Sequence, residues 1–260
     1  MNLTKNESIE MRKVMGTLPS EAPEKSTRIR LLKESIEVTL ESAMDNPYKV
    51  MVVSATSTWG KNDFQQKWPL LSNEAKLQIV QAVLTNCTLP QAREMCQFIF
   101  RITGIPRWLF DYHTQIPFTT FLSIGCRDNN KKDSDVILNE EINEQDKEIF
   151  FTLKDLYEET LTDNKASWQT ARAFLVQSYL HSYHLGQNLL SISNMQLDKL
   201  QYRDEMKILY KQIVMSIEQK FPLIGMYLNI LFERKKDVFY TISNLRFEDL
   251  TSSDQSLFAS

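Results

Sequence analysis

The sequence predicts an α+β fold, with an antiparallel or mixed sheet from the N-terminal half packed against a helix-rich C-terminal half. Short β-branched or alternating apolar runs lie before residue 127. Beyond residue 147, apolar residues recur at helical spacing. This segregated order differs from the strand–helix alternation of a doubly wound sheet. Six glycines in 260 residues point the same way, because phosphate cradles need clustered glycines. Neither GxGxxG nor GxxxxGK occurs, so a phosphorylated ligand would have to be held by side chains, arginine first among them.

Residues 1–26 are polar and contain Pro19 and Pro23, which suggests a flexible N-terminal arm. Residues 27–240 are expected to form a single domain and 241–260 a C-terminal tail. From Arg28 to Met44, the apolar Ile29, Leu32, Ile36 and Leu40 fit a helix. Tyr48–Ala55 (YKVMVVSA) follows Asn46-Pro47 and predicts a buried strand. Ser72 is a candidate cap for a helix with Leu77, Val80 and Leu84 on one face, ending before Pro90.

Cys96, Phe98, Phe100 and Ile102 alternate with Gln97, Ile99, Arg101 and Thr103, a strand pattern closed by Gly104. Pro106 suits the first position of a helix reaching about Thr114. Phe118–Cys126 (FTTFLSIGC) predicts another strand, and the charged stretch 128–146 a surface loop. Helices are predicted over 147–163, 166–185, 188–198, 199–220 and 223–234, with Pro222 separating the last two.

A net charge of −3 argues against a general nucleic-acid or membrane-surface binder. No apolar stretch approaches the ~20 residues of a membrane span, and the start lacks a signal-peptide core. Three scattered cysteines make no disulfide framework, and three histidines leave little material for a zinc site. The expectation is a cytoplasmic protein without a metal.

The run from Glu94 to Arg127 resembles the flavin-dependent thymidylate synthase (ThyX) family. Members carry E-H-x-x-F-T-F, a glycine, an arginine-bearing helix, and R-H-R-x7-S followed by a further arginine. Glu94, Phe98 and Phe100 match the first motif, with Met95 in place of its histidine. Gly104 and Arg107 follow as G-I-P-R. The R-H-R positions fall on Gln115, Ile116 and Pro117, the serine on Gly125, and the last arginine on Arg127. A second match is Ala171-Arg172 followed by Asn188, Asn194 and Lys199 at the spacing of the family's A-R and N-x-R-x3-N-x4-R, with Leu190 replacing the arginine. The stretch NPYKVMVVSAT looks like the family's first strand, so the resemblance runs from about Asn46 to Pro222.

The resemblance implies a ThyX-like fold and a homotetramer with active sites at subunit interfaces. It also implies FAD as cofactor, and dUMP methylated at C5 using NADPH and methylenetetrahydrofolate. Arg127 and Arg172 would carry catalysis and grip the nucleotide, with Tyr112, Gln115, Ser123, Gly125 and Lys199 lining the substrate site. His113, Gln115, Ile116, Pro117, Ser123, Asn188 and Asn194 would line the cofactor site.

Each residue also has a plainer role. Arg127 can pair with Asp128, Asp133 or Asp135, and Arg172 with Glu158, Glu159 or Asp163. Asn188, Asn194 and Lys199 can occupy an exposed helix face. His113 and Cys126 can be ordinary packed residues, and His181 and His184 part of a helix interface. Lys199 keeps the charge of the family's arginine but not its two-pronged grip. The uncharged Gln115-Ile116-Pro117 segment removes up to three positive groups facing anionic ligands. At about 1.5–3 kcal/mol per charge-assisted hydrogen bond, that loss would weaken binding severely. Two alternatives follow: the same fold modifying another pyrimidine nucleotide, or a non-catalytic binding or scaffold relative.

Overall fold

The structure is a computed structural model. It describes residues 29–30, 32–57, 64–85, 89–117, 119–123, 135–138, 143–162, 171, 178–195, 204–233 and 238–260. Strand β1 (Ile29–Arg30) and a single helical turn (Leu32–Ser35) lead into β2 (Glu37–Ala43). The helix expected over 28–44 is therefore corrected to a strand. Leu32, Ile36 and Leu40 lie four apart, a spacing compatible with either period. Pairing against a neighbouring strand decides the outcome.

The expected strand over Tyr48–Ala55 is also corrected: Pro47–Thr56 is a helix, α1. Asn46-Pro47 is its start signal, with Asn46 Oδ1 accepting from the Lys49 amide at 2.9 Å and proline in the first turn. Tyr48, Met51, Val52 and Ala55 are buried at helical spacing. Helix α2 (Asn73–Thr85) is capped by Ser72, whose hydroxyl accepts from the Ala75 amide at 3.2 Å. The short α3 (Pro90–Glu94) precedes β3.

Strand β3 (Gln97–Pro106) buries Phe98, Phe100 and Ile102, as its alternation predicts. It runs through Gly104, where the chain takes φ +71° and the register against its neighbour shifts. A side chain there would meet the Ser35 carbonyl at 1.8 Å, so glycine alone fits. Helix α4 (Arg107–His113) follows directly, then β4 (Thr119–Ser123). Within the expected 128–146 loop, Val136–Ile137 forms β5, parallel to β1, and α5 (Glu144–Thr162) begins earlier than expected.

The largest correction concerns 166–185. Its described end is strand β6 (Leu180–Asn188), not helix. His181, Tyr183, Leu185 and Gln187 point inward and Ser182 and His184 outward, a period of two hidden in the sequence by polar inward residues. Helices α6 (Leu189–Asn194), α7 (Asp204–Glu218), α8 (Pro222–Phe232), α9 (Val238–Ser243) and α10 (Ser252–Ala259) complete the chain.

The main sheet is antiparallel throughout, in the order β2-β3-β6-β4. The C-terminal half thus supplies a central strand, so the two halves are not segregated. The inward face joins one large apolar core with α1, α2, α7 and α8. A smaller cluster forms around Val136, Phe150, Tyr157 and Tyr179. Helix α10 closes over α1 and α2. Its Phe258 stacks on Tyr48 at 4.9 Å, and its Asp254 accepts from the Tyr48 hydroxyl at 2.5 Å.

Candidate functional site

The turn 114–117 leaves α4 and delivers the chain into β4, while β6 ends beside it and passes into α6. Asn188 caps α6, its Oδ1 accepting from the Ser191 amide at 2.7 Å. The Ser191 hydroxyl donates to the Pro117 carbonyl at 2.7 Å and accepts from Gln187 Nε2 at 3.3 Å. Two segments matched separately in the sequence, Gln115-Ile116-Pro117 and Asn188, thereby meet at the same end of the sheet. Thr119 and Gln187 are register partners at that place, and the Leu189 amide donates to the Cys96 carbonyl at 2.9 Å. Gln187 carried no signal in the sequence, since an inward polar residue on a strand reads as an outward one, and neither did Ser191 on α6.

Around this junction, Gln115 and Pro117 are exposed and Ile116 leans on the core. Asn188 is nearly buried, Asn194 is exposed at the end of α6, and Ser123 is half-buried opposite Tyr183. Tyr112 lies on α4, with its side chain outside the described residues. Gly125, Cys126, Arg127, Arg172 and Lys199 also lie outside them, and so does the expected convergence of Arg127 and Arg172. Arg107 pairs with Asp111 at 2.8 Å.

His113 points into the core. Its Nδ1 lies 2.7 Å from the Tyr183 hydroxyl, and Phe110, Phe121 and Tyr183 crowd the site with ring contacts. Burial holds the imidazole neutral, its pKa lowered to about 3, and pushes Tyr183 up. Nε2 has no partner. Whichever ring nitrogen carries the proton, the pair is left with one polar hydrogen unmatched. In this chain His113 is a packing residue without access to a phosphate. Cys96 is likewise sealed, its thiol pushed up to about 12 by burial.

His181 and His184 lie on a strand three residues apart and so face opposite sides of the sheet. His181 is buried, whereas His184 is outward and meets Glu41 at 3.1 Å, beside Arg101 on the same carboxylate at 3.2 Å. They share neither a helix nor a possible metal position. The outward sheet face also exposes Ile99 and Leu122, the latter at 72%.

Chemically, the junction offers amide donors and acceptors that suit the edge of a heterocycle. Among the described residues, the buried Gln187 Oε1 beneath it lacks a partner. Gln115, Ile116, Pro117, Asn188 and Ser191 include no cation to meet a diphosphate. These residues therefore fit the uncharged part of FAD. The charged part would depend on Arg127, Arg172 and Lys199, or on another subunit.

An antiparallel sheet of this order, packed on its inward face by helices, defines an α+β fold. No protein-family model matches the chain, and no curated protein is similar to it. Among solved structures, Thymidylate Synthase X from Helicobacter pylori with FAD and dUMP is 14% identical, with a TM-score of 0.58. That likeness covers 81% of this chain and 100% of the other. A second structure of that enzyme complexed with FAD and dUMP is 12% identical over 76% and 98%, with a TM-score of 0.60. A UMP/dUMP methylase, PolB from Streptomyces cacaoi, bound with 5-Br dUMP, is 12% identical over 80% and 98%, with a TM-score of 0.61. The chain has the ThyX fold. Among the described residues no helix is long and apolar enough to cross a membrane.

Proposed function

We propose that this chain is a divergent flavin-dependent enzyme of the ThyX type. In this reading it binds FAD and dUMP and methylates C5 of the uracil ring to give dTMP, with methylenetetrahydrofolate as carbon donor and NADPH as reductant. The observation that carries the reading is the Pro117–Ser191–Asn188 contact. It unites the turn at the R-H-R position with the asparagine of the second motif, inside a fold shared with enzymes solved with FAD and dUMP. Arg127 and Arg172 grip the nucleotide with paired charge-assisted bonds, supported by Tyr112, Gln115, Ser123, Gly125 and Lys199. Asn188, Asn194, Gln115, Ile116, Pro117 and Ser123 line the flavin side, while His113 packs in the core and takes no direct part.

The protein works in the cytoplasm as a homotetramer. Exposed Ile99 and Leu122 on the outward sheet face give apolar surface for subunit packing. Tetramerisation also offers a source for the cations missing from the junction. The test is direct: purify the protein, titrate FAD by its visible absorbance, and incubate with dUMP, methylenetetrahydrofolate and NADPH. Flavin binding with dTMP formation is expected. Absence of both, with the fold intact, would refute the reading.

The uncharged Gln115-Ile116-Pro117 turn favours a second reading, in which the fold modifies another pyrimidine nucleotide or only binds one. The UMP/dUMP methylase among the similar structures supports the first form. Thermal-shift titration across UMP, dUMP and dCMP finds which nucleotide binds, because a bound ligand raises stability by RT ln(1 + [L]/Kd), and product formation from that nucleotide separates modification from binding alone.

A further inference from the structure

We infer that Ser191 is a positioning residue that fixes the Gln115-Ile116-Pro117 turn in its ligand-facing shape. The inference deepens the FAD reading above and rests on it for the ligand's identity. Gln187 Nε2 donates to Ser191 Oγ at 3.3 Å, and Ser191 Oγ donates in turn to the Pro117 carbonyl at 2.7 Å. The Ser191 amide meanwhile holds Asn188 Oδ1 at 2.7 Å. One residue therefore uses its backbone and side chain to tie the turn, the end of β6 and the start of α6 together. The tie spans 74 residues of sequence. Pro117 has no amide of its own to anchor it, and Gln115 is exposed. On the turn's other side, the Ile116 amide donates to the His113 carbonyl at 3.1 Å, and the Thr119 hydroxyl to the Ile116 carbonyl at 2.7 Å.

Ser193 supplies a matched control two residues away. Both serines are 4% exposed on α6, but among the described residues the Ser193 hydroxyl bonds only the Leu189 carbonyl of its own helix, at 2.7 Å. Ser191→Ala removes the link to Pro117 and keeps the backbone bond to Asn188, whereas Ser193→Ala touches neither. Ser191→Thr retains an oxygen at the same position.

The test measures both variants in two ways. Without ligand, hydrogen exchange of peptides covering 113–121 is expected to quicken about tenfold in Ser191→Ala and to stay unchanged in Ser193→Ala. With FAD, the Kd is expected to rise about tenfold in Ser191→Ala, with recovery in Ser191→Thr and no change in Ser193→Ala. Unchanged exchange in Ser191→Ala, or equal effects from both alanines, would overturn the inference. Quickened exchange in a protein that binds no FAD even as wild type would keep the positioning role and refute the flavin reading instead.

Discussion

Replacing Tyr48 by phenylalanine isolates one hydroxyl in a short, buried polar contact of the core. The ring itself would stay, stacked on Phe258 at 4.9 Å and edge-on to Phe221 at 6.5 Å. What is lost is the bond to Asp254, a carboxyl 1% exposed. Asp254 would keep its bonds from the Leu223 amide and the Thr251 hydroxyl, both at 3.1 Å, on its other oxygen. A hydrogen bond to a charged acceptor contributes about 1.5–3 kcal/mol, and an unpaired buried oxygen adds to its loss. A destabilisation of about 2–3 kcal/mol is expected, which in a chain of this size lowers Tm by roughly 4–12 °C. Urea unfolding at pH 7, read by tryptophan fluorescence and far-UV circular dichroism, measures it. A loss below about 0.5 kcal/mol would refute the claim that this bond anchors α10. The pH dependence gives an independent check. Burial raises the Asp254 pKa above its ordinary 3.8, so the folded state holds this proton more tightly. Its contribution to stability is fullest below 3.8 and declines as pH rises through the raised value. In Asp254→Asn that decline should vanish, leaving a flatter stability profile across the same window.

Other perturbations test other joints. Gly104→Ala forces a methyl against the Ser35 carbonyl in a left-handed conformation, and a loss of more than about 3 kcal/mol is expected in chemical unfolding. Gly225→Ala, whose new carbon would lie 2.6 Å from the Glu218 Cα, should cost about 1–3 kcal/mol by prying α7 from α8. The native imidazole of His113, lowered to about 3, resists protonation while the unfolded chain accepts a proton near 6.5. Stability from this residue is therefore complete above 6.5 and falls as pH drops toward 3. His113→Phe should reduce that acid slope, at most about 1.4 kcal/mol per pH unit.

Much of the sheet's inner face was legible in the sequence because β3 alternates cleanly, with Phe98, Phe100 and Ile102 inward. Strand β6 was not, because His181 and Gln187 occupy inward positions where apolar residues were expected. Its LHSYHLGQN sequence therefore shows no two-residue period. Helix α1 was misread because Val50-Met51-Val52-Val53 is an apolar, mostly β-branched run, a property shared by buried strands and buried helices. Asn46-Pro47 held the answer as a cap rather than a turn. At the candidate site, motif spacing singles out Asn188, and Ser191 ties the start of its helix to the turn at 115–117. Ser191 was invisible, since a serine following a motif asparagine announces no contact 74 residues upstream.

Because β6 separates β3 from β4, the one ladder partner of strand β4 among the described residues is supplied some sixty positions later. A chain still emerging from the ribosome must therefore carry an unzipped β4 until synthesis passes Asn188. Such long-range pairing is slow. During that interval a bare strand edge is available to any neighbouring polypeptide, so expression yield should depend on chaperone supply and growth temperature.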